Sequence, residues 1–149
     1  MWKEKYNQIC TLSELFGEKV NGGANDKEIE SLICKANIVL GVDIPTQYLD
    51  VLKKFNGLEF NGFIIYGIDT DLLDNKPCQV VNGLIDNNKV WYENPWLKKY
   101  IFLGDSNISW YAYDIEQSLY CELSKPAGDV LNSYSNVNSL IDKILGDAL

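Results

Sequence analysis

With 149 residues, 46% of them hydrophobic and 12% aromatic, the chain fits one globular domain and is too apolar to be a disordered one. Its 13 Lys+Arg against 21 Asp+Glu give a formal charge of −8 and a pI near 4.5. That balance argues against nucleic acid, whose binders carry a basic stripe, and against an anionic membrane surface. The same field would steer in a basic protein partner, although acidity also serves plain solubility.

No run approaches the roughly 20 apolar residues of a membrane span. The N-terminal MWKEKYNQIC mixes charged and apolar residues instead of holding the apolar core of a secretion signal. Cys10, Cys34, Cys78 and Cys121 are scattered, with no C-x-x-C between them, and there is no histidine to complete a zinc pattern. Free thiols in a reducing cytoplasm are the expectation, with a disulfide pair as the alternative.

In chain order, Trp2, Tyr6, Ile9, Leu12 and Phe16 recur at helical spacing, which predicts a helix over 2–16 ended near Gly17. Asn25-Asp26-Lys27-Glu28 has the form of a capping box opening a second helix, with Ile29, Leu32, Ile33 and Ala36 on one face. Pro45 suits the first turn of a third, whose stripe is Tyr48, Leu49, Leu52 and Phe55 and whose stop is Asn56-Gly57. Leu58–Phe60 and Phe63–Tyr66 flank Asn61-Gly62, a strong hairpin signal. Val80, Val81, Leu84, Ile85 and Asn88 match a helix from about Cys78 to Glu93, stopped by Asn94-Pro95, although Gly83 and the valine pair weaken it.

A meander follows. Tyr100–Leu103, Trp110–Tyr113 and Leu119–Leu123 read as strands, separated by turns at Asp105-Ser106-Asn107 and Glu116-Gln117-Ser118. Lys125-Pro126-Ala127-Gly128 then leads into a last strand near Val130-Leu131. Ser135 or Asn136 caps a final helix with Val137, Leu140, Ile141, Ile144 and Leu145 inward. Helices first, then an antiparallel sheet, then a mid-chain and a C-terminal helix packed on it, make the fold class α+β.

Without histidine, Ser–His–Asp and Cys–His machinery and His-ligated metal sites are excluded within the chain, and neither a P-loop nor G-x-G-x-x-G occurs. Carboxylate chemistry survives that exclusion: Asp69 and Asp105 could in principle serve as the acid and base of a small hydrolase. Asp69-Thr70-Asp71-Leu72-Leu73-Asp74 has calcium-loop flavour, but Asp74 and Val80 stand where Gly and Glu are needed. It reads better as an acidic turn after the Tyr66 strand, its carboxylates near the next helix N-terminus, or as part of an acidic docking face. On the strand Trp110–Tyr113, neighbours point to opposite faces, so half of its aromatics are core and the rest are free to act as interface anchors.

The helix from Pro45 closing at Phe55-Asn56-Gly57 and the hairpin Glu59-Phe60-Asn61-Gly62-Phe63 resemble the SUKH superfamily. So does Phe102-Leu103-Gly104-Asp105 followed by Trp110-Tyr111-Ala112-Tyr113-Asp114. Lys125-Pro126-Ala127-Gly128-Asp129-Val130 and the last helix are similarly placed, so the likeness covers about residues 40–145. The resemblance implies one SUKH-like domain over 1–149 with a variable N-terminal helix over 1–20, no catalytic activity and no cofactor. The superfamily includes fungal cell-wall-synthesis regulators and bacterial immunity proteins that bind and block a toxin, often a nuclease. The expectation is therefore a cytoplasmic immunity protein, monomer or weak homodimer, for a basic toxin domain, with no nucleic acid or membrane as partner. A regulatory adaptor is the alternative. Its partner-binding residues are expected around Asp69, Asp71, Asp74, Asp105, Asn107 and Trp110.

Overall fold

Helix starts follow the capping signals. Asn25 accepts a hydrogen bond from the Glu28 amide (2.8 Å) while the Glu28 carboxylate accepts from the Asn25 amide (3.0 Å), closing the box that opens α2 (Asp26–Leu40). Asn136 does the same work for α5 (Val137–Ala148), accepting from the Ser139 amide at 3.0 Å; each such cap is worth about 1 kcal/mol. The remaining helices are α1 (Trp2–Leu15), α3 (Thr46–Leu52) and α4 (Leu84–Trp91).

The computed structural model describes all 149 residues. Its six strands, β1 (Leu58–Phe60), β2 (Phe63–Ile65), β3 (Tyr100–Asp105), β4 (Ser109–Asp114), β5 (Leu119–Ser124) and β6 (Val130–Tyr134), form one antiparallel sheet in sequence order. The fold is α+β. Asn61 and Gly62 turn the first hairpin with φ of 50° and 81°, the left-handed pair that a two-residue turn of matching twist requires. The Asn61 side-chain amide also donates to the Ala148 carbonyl (2.7 Å), pinning that turn to the end of α5.

α5 packs across β2, β5 and β6 and against α1. Its five inward apolar side chains are all buried, each contributing roughly 2 kcal/mol by removal from water. α1 is held to α5 by Lys5–Asp142 (3.0 Å) and by Trp2 Nε1 donating to Asn138 (3.0 Å). On the other side of the sheet, Trp91 of α4 packs against Phe102 and Trp110. Consequently Trp110, Tyr111 and Ala112 of β4 are all buried, and of its aromatics only Tyr113 is partly open. Both faces of β4 are covered, so its aromatics are packing residues and offer no exposed anchor.

Three local expectations are corrected. The helix expected over 78–93 is confined to Leu84–Trp91, and residues 78–82 run irregularly with Val80 exposed at 79%. The reason is the bridge at Gly83: the Asn82 carbonyl and the Leu84 amide are both taken by Gly67, so the chain runs extended there and coils only after it, with Asp69 packed where a side chain at 83 would lie. Phe16 falls beyond the last turn of α1 and is exposed, and Ile33 lies at the rim of the α2 stripe.

Candidate protein-binding surface

Between β2 and α4 the chain spends residues 66–83 with no regular structure beyond one 3₁₀ turn, Thr70–Leu72. A connection of that length inside a small fold is usually functional or disordered. This one is fastened along its whole course. The Asn56 side chain accepts from the Ile68 amide (2.8 Å), and Gly67 exchanges backbone bonds with Asn82 and Leu84 (3.0 and 2.8 Å). Asn21 takes the Gln79 amide (2.7 Å) and gives its own side-chain amide to the Gln79 carbonyl (3.0 Å). Gln79 in turn bonds both backbone groups of Glu59, at 3.2 and 3.0 Å, as a neighbouring strand would.

The three acids expected here have different surroundings. Asp69 is buried, and its two carboxylate oxygens accept from the Ile85 and Asp86 amides (both 3.0 Å), capping α4 from outside the helix. Burial pushes its carboxyl above the ordinary value, against the downward pull of those amides. This is the acidic turn at a helix N-terminus that the sequence suggested. Asp71 is exposed and pairs with Lys35 at 2.6 Å, whose hydrogen bond and charge hold its carboxyl below the usual range. Asp74 accepts from the Asn25 side chain (3.0 Å) and lies 3.5 Å from Lys27, which lower it in the same order. Its amide donates to the second oxygen of Glu28 (3.0 Å), so the capping-box glutamate also clamps the loop.

On one flank of this loop lies a groove of about 790 Å³ bounded by Phe16, Lys19, Phe60, Cys78 and Val80. On the other is a smaller depression of about 270 Å³ beside Ala24, Leu73 and Pro77. Sequence reasoning missed the groove. Spacing puts Phe16 and Val80 on helix stripes, and only the fold brings these two exposed side chains to the same rim.

Asp105, Asn107 and Trp110 belong to a second place, the β3–β4 turn. The Tyr66 hydroxyl donates to Asp105 (2.8 Å) and accepts from Trp91 Nε1 (3.1 Å); burial and the Asp105 charge raise the Tyr66 phenol. Lys125 lies 3.6 Å from Asp105, donates to the Ser106 carbonyl (2.9 Å), and sits 5.4 Å from the Trp91 ring centre. Asn107 is exposed beside Ile108, whereas Trp110 is buried and its indole N–H has no partner. Trp96, half exposed, rests on Gly128. Asp69 and Asp105 are thus both committed, one to helix amides and one to Tyr66 and Lys125.

The family model described as SMI1-KNR4 cell-wall, SUKH_6, matches residues 30–123, from within α2 to the end of β5. The chain belongs to the SUKH family. SUKH domains are protein-interaction modules, and the family is generally non-catalytic. The matched span contains all of the 66–83 loop and the β3–β4 turn, while α1, β6 and α5 lie outside it. Comparison with curated proteins returns no match. No helix is long and apolar enough to cross a membrane.

Proposed function

We propose that this SUKH domain is a cytoplasmic immunity protein that binds and neutralises a basic toxin domain, with nuclease toxins the class that fits best. The observation that carries the reading is the 66–83 loop. It is irregular yet held by side-chain bonds from Asn21, Glu28, Asn56 and Gln79. A surface organised before binding loses less entropy in the complex than a mobile one. The loop carries Asp71 and Asp74 exposed on its α2 side, while on its other flank exposed Val80 borders the Phe16–Phe60 groove, whose rim bears Glu18 and Glu59 beside Lys19. The net charge of −8 supplies long-range attraction to a protein made basic by its own need to hold phosphate. Asp69 serves by fixing the loop, and Asp105 and Asn107 form a second contact region with exposed Ile108 and half-exposed Trp96, while buried Trp110 supports that turn from the core. The chain acts as one unit, 1–149.

Co-expression with the toxin encoded by the adjacent gene tests the reading. Restored growth and a co-purified complex are expected; continued killing with no complex would remove it. A second reading, a regulatory adaptor, takes its support from the cell-wall description of the matching family. A pull-down returning several unrelated partners, with no toxin gene alongside, would favour it.

A further inference from the structure

The two edges of the sheet are finished differently. At β1 the Gln79 side chain occupies the backbone groups of Glu59 and closes the edge. At the far edge β6 pairs with β5 alone, and none of its backbone groups bonds to anything outside that pairing. Val130 and Leu131 stand 57% and 51% exposed, and Asn132 and Ser133 are open as well. The lysines, prolines and inward charges that usually guard such an edge are absent from the strand; only a bulge at Leu131 interrupts it.

We infer that β6 is a self-association edge, on which a second copy of this chain adds its own β6 antiparallel to give a two-fold dimer with one continuous sheet. Charge selects this occupant. Residues 130–136 (Val-Leu-Asn-Ser-Tyr-Ser-Asn) carry none, in a chain whose net charge is −8. An isologous contact sets residue i against residue j and j against i, and an uncharged strip lets an acidic protein pair with itself there without bringing like charges together. A basic toxin gains nothing electrostatic there. Asn132 and Tyr134 share the Glu122–Tyr120 face, whereas Val130, opposite Leu123, is turned to the other. A two-fold axis through Ser133 sets Asn132 against Tyr134 on matching faces. The 66–83 loop hangs at the β1–β2 edge, five strand steps of about 4.8 Å away, so both toxin-binding surfaces stay free at the ends of the dimer. The inference stands whether or not a toxin is the partner.

Sedimentation equilibrium from micromolar to near-millimolar protein tests it. The expected result is a mass rising from 16.9 kDa toward twice that value. Ser133→Lys places two ammonium groups face to face across the axis and should weaken the dimer about tenfold or more without changing the circular dichroism or Tm. Ser133→Glu should do likewise, and an equimolar mixture of the two variants should recover the dimer. The mixture separates strand pairing from a folding defect. A wild-type monomer at every concentration overturns the proposal. So does a Ser133→Lys variant that dimerises like wild type, or a mixture that stays monomeric. If the toxin's strand occupies the edge instead, the chain is monomeric and Ser133→Lys weakens the complex with toxin.

Discussion

Asp69→Ala removes the carboxylate that receives the Ile85 and Asp86 amides at 3.0 Å and frees the N-terminus of α4. Hydrogen bonds to a charged acceptor contribute about 1.5–3 kcal/mol each, and loss of a helix cap costs about 0.5–2 kcal/mol. Relief of a buried carboxylate, whose raised pKa records its desolvation, works in the opposite direction. The net expectation is a loss of about 2 kcal/mol, which for a chain of this size lowers Tm by about 4–8 °C. Asp69→Asn keeps one acceptor oxygen and should lose about half as much. Thermal melts followed by circular dichroism give the Tm, and hydrogen exchange should quicken at the Ile85 and Asp86 amides before it does in β3–β5. The sign with pH is also set. Because the folded pKa lies above the unfolded one, the Asp69 contribution is complete below the ordinary carboxylate value and declines as pH rises through the raised value. The deficit of Asp69→Asn should therefore shrink from pH 4 toward neutrality. A Tm for Asp69→Ala within about 1 °C of wild type would refute the capping role and the fastening of the loop through it.

Two further substitutions probe the scaffold and its surface charges. The Asn88 side chain donates to the Leu84 and Phe102 carbonyls (2.8 and 2.9 Å) and accepts from the Phe102 amide (2.8 Å), in full burial. Asn88→Ala strands both Phe102 groups and should cost about 3 kcal/mol in urea unfolding; Asn88→Asp, which cannot donate, should not rescue it. For Asp71 the pH sign reverses. Lys35 depresses its folded pKa, so the stability that the pair supplies is present above the ordinary carboxylate value and lost as pH falls through the depressed one. Asp71→Asn should consequently lose less stability than wild type on acidification, by at most about 0.5 kcal/mol because the pair is exposed to solvent. An identical acid limb for the two proteins would show that the pair contributes nothing.

What was legible in the sequence was what is fixed locally. Asn25 and Glu28, Asn61 and Gly62, Asn136, and the stripe Val137–Leu145 each set their element through neighbours within four residues, and each element stands where the spacing put it. The misjudged stretch was decided at a distance. Nothing near Val80, Val81 and Gly83 reveals that Gly67 bridges Gly83 or that Asp69 lies against it, so a helical spacing was read four to six residues too early. The acids of the 69–74 run look alike as letters, yet the fold buries Asp69 as a cap and leaves Asp71 on the surface beside Lys35. Alternation along β4 was visible, but the covering of both its faces, by Trp91 on one side and α5 on the other, depends on the packing of remote helices. The clamp role of Glu28 on Asp74 and the edge seal by Gln79 carry no sequence signal, because both are contacts between segments far apart in the chain.

The central claim is that an ordered acidic loop binds a basic toxin domain, and titration calorimetry of the adjacent gene's toxin against wild type and the Asp71→Lys/Asp74→Lys variant tests it most directly. The expected result is a tight complex that weakens with salt and weakens at least about tenfold in the variant, with Tm changed little. A toxin that does not bind, or one that binds both proteins equally at every salt concentration, would contradict it.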